Sequence, residues 1–161
     1  MSDTFDKLHT VIRRGRANDA LRMLFDKTGR KIRKPYTDDL NHAWYLVGDI
    51  LYDKRDYQKA VMAFKKSTRS RPEDYQALWA TAECYSEMKR PRIAVRYWEK
   101  AISIAGAKDE LVFNLGNAFF DLSEFKKAIS CYDKVAKRSK VIHKMAENNK
   151  LRARKMLAAR S

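Results

Sequence analysis

This chain is poor in the two residues that most readily break regular structure, with 5 glycines and 3 prolines among 161 residues. Such a composition argues against long disordered stretches away from the ends. It has only two cysteines, Cys84 and Cys131, which form no CxxC pair. That spacing excludes a zinc site of the usual kind and predicts two buried free thiols. No apolar run approaches the roughly 18 residues that mark a bilayer-spanning helix. The opening residues Met1-Ser2-Asp3-Thr4-Phe5-Asp6 carry acids where a secretory leader needs positive charge followed by an apolar block. The expectation is a soluble, cytoplasmic protein.

Catalytic motifs are equally scarce. His9, His42 and His143 lie in three different segments with no repeated acid or nucleophile beside them. There is no Gly-rich phosphate loop, no GxSxG, no HExxH and no calcium loop. The usual requirements for a nucleophile, a base and an oxyanion site are unmet. The expectation is no enzyme, no metal and no cofactor.

What the chain does have is repetition. Stretches beginning at Asn41, Tyr75 and Asp109 repeat one pattern at a spacing of 34 residues. The first reads Trp44, Val47-Gly48, Leu51-Tyr52, Tyr57, Ala60, Phe64 and Pro72. The second reads Leu78, Thr81-Ala82, Tyr85-Ser86, Pro91, Ala94, Trp98 and Gly106. The third reads Val112, Leu115-Gly116, Phe119-Phe120, Phe125, Ala128, Tyr132 and Lys140. A fixed period of this size marks stacked supersecondary units. Within each unit the apolar residues follow helical spacing, as in Trp44, Val47, Gly48 and Leu51, and again in Tyr57, Ala60, Val61 and Phe64. Asp53-Lys54-Arg55-Asp56 is a polar break between the two runs. Each unit is therefore a helical hairpin in which small residues let backbones approach and Phe64, Trp98 and Tyr132 fill the space beside them.

On these residues the chain resembles the tetratricopeptide-repeat family over 41–142. Ala82 stands for the family's Gly in the second unit, and Lys140 for its terminal Pro in the third. The resemblance implies an all-α, right-handed superhelix, an α-solenoid of antiparallel helix hairpins. Three repeats are expected over 41–74, 75–108 and 109–142. Residues 1–34, with Gly15-Arg16-Ala17-Asn18-Asp19-Ala20 at the turn and Leu8 in place of a small residue, read as a degenerate N-terminal hairpin. A phase slip of six residues follows, read as a linker over 35–40. Residues 143–161 read as a basic capping helix in which Ile142, Ala146, Ala153 and Leu157 cover the last repeat and Lys144, Lys150, Arg152, Arg154, Lys155 and Arg160 face outward.

In this family the first helix of each hairpin lines a concave groove. Carried onto this sequence, the resemblance implies Tyr45, Asp49, Tyr52 and Asp53 from the first unit. It implies Trp79, Glu83 and Glu87 from the second, and Phe113, Asn114, Asn117, Phe120 and Asp121 from the third. Rings and acids recur at matched positions, and Lys and Arg are absent from the set although the chain carries a net charge of +15. An acidic, aromatic groove suits a peptide that presents Lys or Arg beside apolar residues. Some family members clamp a chaperone's C-terminal carboxylate with inward Lys, Asn and Arg. Here Tyr45, Asp49, Ala80, Glu110 and Asn114 occupy those positions, and the acids would repel it. Chaperones of type III secretion translocators share the size but are usually acidic.

The leading expectation is thus a non-catalytic adaptor, scaffold or chaperone-like module for a protein or peptide partner. A second expectation is binding of nucleic acid or an anionic membrane through Arg30-Lys31-Ile32-Arg33-Lys34 and Lys150-Leu151-Arg152-Ala153-Arg154-Lys155. A third is self-association.

Overall fold

The computed structural model describes residues 3–160; residues 1–2 and 161, the outermost positions of the two terminal segments, lie outside them. Among the described residues there are nine α-helices and no strand: α1 (Asp3–Arg13), α2 (Ala17–Leu24), α3 (Leu40–Asp53), α4 (Tyr57–Ser70), α5 (Tyr75–Glu87), α6 (Pro91–Ala105), α7 (Asp109–Asp121), α8 (Phe125–Tyr132) and α9 (Lys140–Ala158). The chain divides into two compact units, Met1–Ala77 and Leu78–Ser161, the boundary falling inside α5.

The hairpin turns repeat as faithfully as the helices. Arg55, Lys89 and Ser123, each 34 residues from the next, all take positive φ, at 60°, 57° and 61°. The turn between α1 and α2 puts Gly15 there instead, at 70°. Adding 34 and the six-residue slip to 15 gives 55, so the N-terminal hairpin keeps the repeat's turn in a shifted frame. Only Gly adopts this backbone without steric strain.

In the first unit, α3 begins where the Asp39 carboxylate accepts the His42 N–H at 3.0 Å, and α4 where Asp56 accepts the Lys59 N–H at 3.3 Å. The two helices approach closely because Gly48 has no side chain. A Cβ there would sit 2.5 Å from the Phe64 ring, which is fully buried. Asn41 ties the unit's end together. Its amide donates to the Ser67 hydroxyl at 2.8 Å and to Asp74 at 2.8 Å, while the Ser67 hydroxyl donates to the Asn41 carbonyl at 2.9 Å. Asp74 in turn accepts the Gln76 and Ala77 N–H groups at the start of α5.

The second helix of the N-terminal hairpin is short. α2 stops at Leu24, and residues 26–31 form a turn held by one carboxylate. Asp26 accepts the Thr28 N–H at 3.1 Å, the Thr28 hydroxyl at 2.7 Å and the Arg30 N–H at 3.3 Å, with Gly29 at positive φ. An isolated antiparallel bridge joins Phe25 to Ile32. The slipped region is packed too, since Ile32 and Tyr36 join Leu8, Leu24, Leu46 and Val47 in one core. Leu8, at the place of Gly48, is fully buried.

In the second unit, Pro91 opens α6 at a position where its missing N–H is no loss. Trp98, Leu111 and Phe125 are buried, and a Cβ on Gly116 would sit 2.6 Å from the Tyr132 ring. α8 is shorter than its counterparts α4 and α6. The Asp109 carboxylate at the head of α7 accepts the Ala136 N–H at 3.0 Å and the Ser139 hydroxyl, fixing residues 133–139 as a loop. α9 therefore starts at Lys140, and Ala146 and Ala153 on it are fully buried.

Candidate functional site

On α3, Tyr45, Asp49, Tyr52 and Asp53 share one face by their i, i+4, i+7, i+8 spacing. Tyr45, Asp49 and Tyr52 are half-buried and Asp53 is exposed. The Tyr45 ring lies 5.5 Å from that of Phe64, and Tyr52 meets Tyr57 edge-on at 5.3 Å. Burial, and then the neighbouring charge of Asp53, hold the Asp49 carboxyl above its ordinary value. This face thus holds two acids close enough to repel each other, flanked by partly exposed phenol rings.

In the second unit, Trp79 and Glu83 lie one turn apart on α5, both half-buried, with Glu87 exposed beyond them. The indole N–H of Trp79 donates to the Glu83 carboxylate at 2.7 Å, which orients both groups. On α7 the matching ring, Phe113, is only 8% exposed, paired with Tyr132 at 6.0 Å. α7 therefore offers Phe120, half-buried against Phe125, as its accessible ring. Asn114 is half-buried and Asp121 exposed.

Around Asn117 the structure brings in residues outside the expected set. The Asn117 side-chain oxygen accepts the Tyr132 hydroxyl and the Asn149 amide, each at 2.9 Å. The Arg152 guanidinium stands 5.3 Å from the centre of the Phe120 ring. Asn117, Phe120, Asp121, Tyr132, Asn149 and Arg152 together line a hollow of about 210 Å³. Burial pushes the Tyr132 phenol well above its ordinary value, so it serves as a neutral donor. The missed residues had a legible signal: counting on by 34 from Val112 and Phe119 reaches Ala146 and Ala153, the two buried residues of α9. α9 thus continues the repeat as a further leading helix, which sets Asn149 and Arg152 beside α7.

Lys150 does not face outward as the sequence suggests. Its side chain is 12% exposed, because Asp133 and Glu147 both hold its ammonium, the former at 3.0 Å. The histidines are packing groups. His9 and His42 meet at 3.1 Å between ring nitrogens, and His143 approaches the Val135 carbonyl at 3.2 Å. Among the described residues no group of three His, Cys, Asp or Glu is placed to hold a metal ion. Nor is any described helix long and apolar enough to cross a membrane.

Residues 42–74 and 109–141 each match the family model described as the tetratricopeptide repeat. Among solved structures, MamA (41-end) from Desulfovibrio magneticus RS-1 has a TM-score of 0.71 at 20% identity, covering 97% of this chain and 94% of that one. The first TPR of Spaghetti (RPAP3), bound to the HSP90 peptide SRMEEVD, has a TM-score of 0.67 at 17% identity, covering 73% and 93%. A further crystal structure of MamA has a TM-score of 0.63 at 22% identity, covering 83% and 79%. No curated protein matches the sequence. The likeness shows the fold: an all-α solenoid of helix hairpins.

Proposed function

This is a tetratricopeptide-repeat protein, and from that premise we propose that it is a non-catalytic protein–protein interaction module. Its leading helices hold a basic, apolar peptide segment of a partner. The observation that carries this reading is the pairing of ring and acid on partly exposed helix faces in each unit taken by itself. Tyr45 and Tyr52 accompany Asp49 and Asp53, and Trp79 accompanies Glu83 and Glu87. Neither set holds Lys or Arg in a chain with 35 of them. The rings supply area for apolar side chains, and the carboxylates orient cationic ones. Asp49 adds a physical argument, since an acid kept half-buried beside another opposes folding and is explained by a cationic partner.

The sign of the charge separates this chain from the neighbour that holds SRMEEVD. A peptide with three acidic side chains suits cations, whereas the face proposed on α3 carries Asp49 and Asp53 and that on α5 carries Glu83 and Glu87. A peptide array in which Lys/Arg content and apolar content vary independently tests the reading. Binding should require both, and equal binding of acidic peptides to these faces would refute it.

A second reading rests on α9. Val141, Met145, Leu151 and Met156 are exposed there among Lys144, Arg154 and Lys155. An apolar-and-basic helix surface favours an anionic membrane over nucleic acid. Sedimentation with phosphatidylserine vesicles tests it, with loss of binding expected for Met145→Glu/Met156→Glu.

A further inference from the structure

Trp44, Val47 and Leu51 lie on a different face of α3 from the acids. They occupy repeat positions that in a continuous array face the preceding hairpin. Here that hairpin's second helix has eight residues and stops at Leu24, and the Asp26 turn follows, with Gly29 and Arg30 in place of a further helical turn. The cover is thus incomplete. Within the first unit it leaves a hollow of about 480 Å³, inside the roughly 300–1,000 Å³ of ordinary ligand sites.

The floor is apolar: Leu21 and Phe25 on one side, Trp44, Val47 and Leu51 on the other. The Phe25 and Trp44 rings meet edge-on at 5.7 Å. Arg30, Lys59 and Lys66 stand at the edge with Met62, which is 61% exposed, and no carboxylate lines the hollow. Lys66 holds its ammonium 3.9 Å from the centre of the Trp44 ring, and Lys59 pairs with Asp56 outside the lining. The charge here is opposite in sign to that on the Asp49 face of the same helix.

We propose that this hollow is a second docking site, taking one or two large apolar side chains from an acidic segment of a partner protein. Charge complementarity selects that occupant: cations ring an apolar floor, so flanking Asp or Glu gain on entry. A second copy of the chain is disfavoured by the same charges, since each copy carries +15. The site stands independently of the basic-peptide reading, since the two use different residues and ligands of opposite sign.

The test uses the full chain and a fluorescein-labelled peptide reading Glu-Glu-Leu-Phe-Glu-Glu, followed by anisotropy and by shifts of the Trp44 indole N–H in nitrogen-edited NMR. The peptide should bind, weaken as salt rises, and shift Trp44. Lys66→Glu should weaken it about tenfold, as should Met62→Glu at an exposed position where folding is not at stake. Both variants should keep the melting temperature and leave binding of a Lys-Leu-Phe-Lys peptide unchanged. Three results would overturn the proposal: equal binding of a Lys-flanked Leu-Phe peptide with the same Trp44 shift, insensitivity to both variants, or binding of phosphatidylserine vesicles that Met62→Glu abolishes while the acidic peptide is ignored.

Discussion

Asp49 and His42 are side chains whose charged forms the fold resists, and each makes a pH-dependent prediction. The folded-state value of Asp49 lies above its unfolded value of 3.8, so folding favours the neutral acid and the ionised form opposes it at pH 7. Asp49→Asn should raise the melting temperature at pH 7, with the gain fading as pH falls toward 4. The same variant should weaken a Lys-bearing apolar peptide, which would separate a functional acid from a merely tolerated one. For His42 the direction is opposite. Burial, then the facing His9, lowers its value below 6.5, with Asp39 and Asp74 partly offsetting and Arg71 adding to the effect. Below pH 6.5 the unfolded chain takes up the proton first, so stability should fall as pH drops through that region. His42→Gln should flatten the fall in thermal melts between pH 7 and 5. At Cys84, burial first and the charge of Glu83 next push the thiol up to about 12, so it should resist alkylation at pH 8 until the chain unfolds.

At the scale of the element, close helix approach is the feature most sensitive to change. Gly116→Ala drives a methyl into the buried Tyr132 ring and should destabilise by about 1–3 kcal/mol, read from urea melts. Lys89→Gly should act in the other direction. It relieves a left-handed backbone that costs a side chain roughly 1–2 kcal/mol, against the entropy that Gly adds to the unfolded chain. The hairpins were legible in the sequence because period and residue size together fix which positions touch: Gly48 against Phe64 and Gly116 against Tyr132 follow from the 34-residue pattern. The short α8 was not legible. It depends on Asp109 reaching residues 27 and 30 positions away to bind Ala136 and Ser139, and no local propensity encodes that. The end of α2 was half-visible: Asp26 and Gly29 are ordinary turn residues, but apolar Phe25 and Ile32 on either side masked them. Phe113 shows the limit for sites, since the helical pattern places a ring on a face without saying whether Tyr132 will cover it.

The whole molecule combines a large positive charge with acid-and-ring faces on α3 and α5 that hold no Lys or Arg. Some of its cations are engaged, as Lys150 is by Asp133 and Glu147, and three others stand at the edge of the apolar hollow beside Trp44. A chain so charged should bind many anions weakly and with steep salt dependence. Selective binding of a cationic peptide would therefore run against its net charge and reveal local design. The decisive measurement is titration of a labelled Lys-Leu-Phe-Lys peptide into the wild type and into Asp49→Lys/Trp79→Ala, at two salt concentrations, with melting curves confirming that both are folded. Binding by the wild type, with loss of about tenfold or more in the double variant, is the expected result. Unchanged affinity in a folded double variant would contradict the assignment of these helix faces as peptide-binding surfaces.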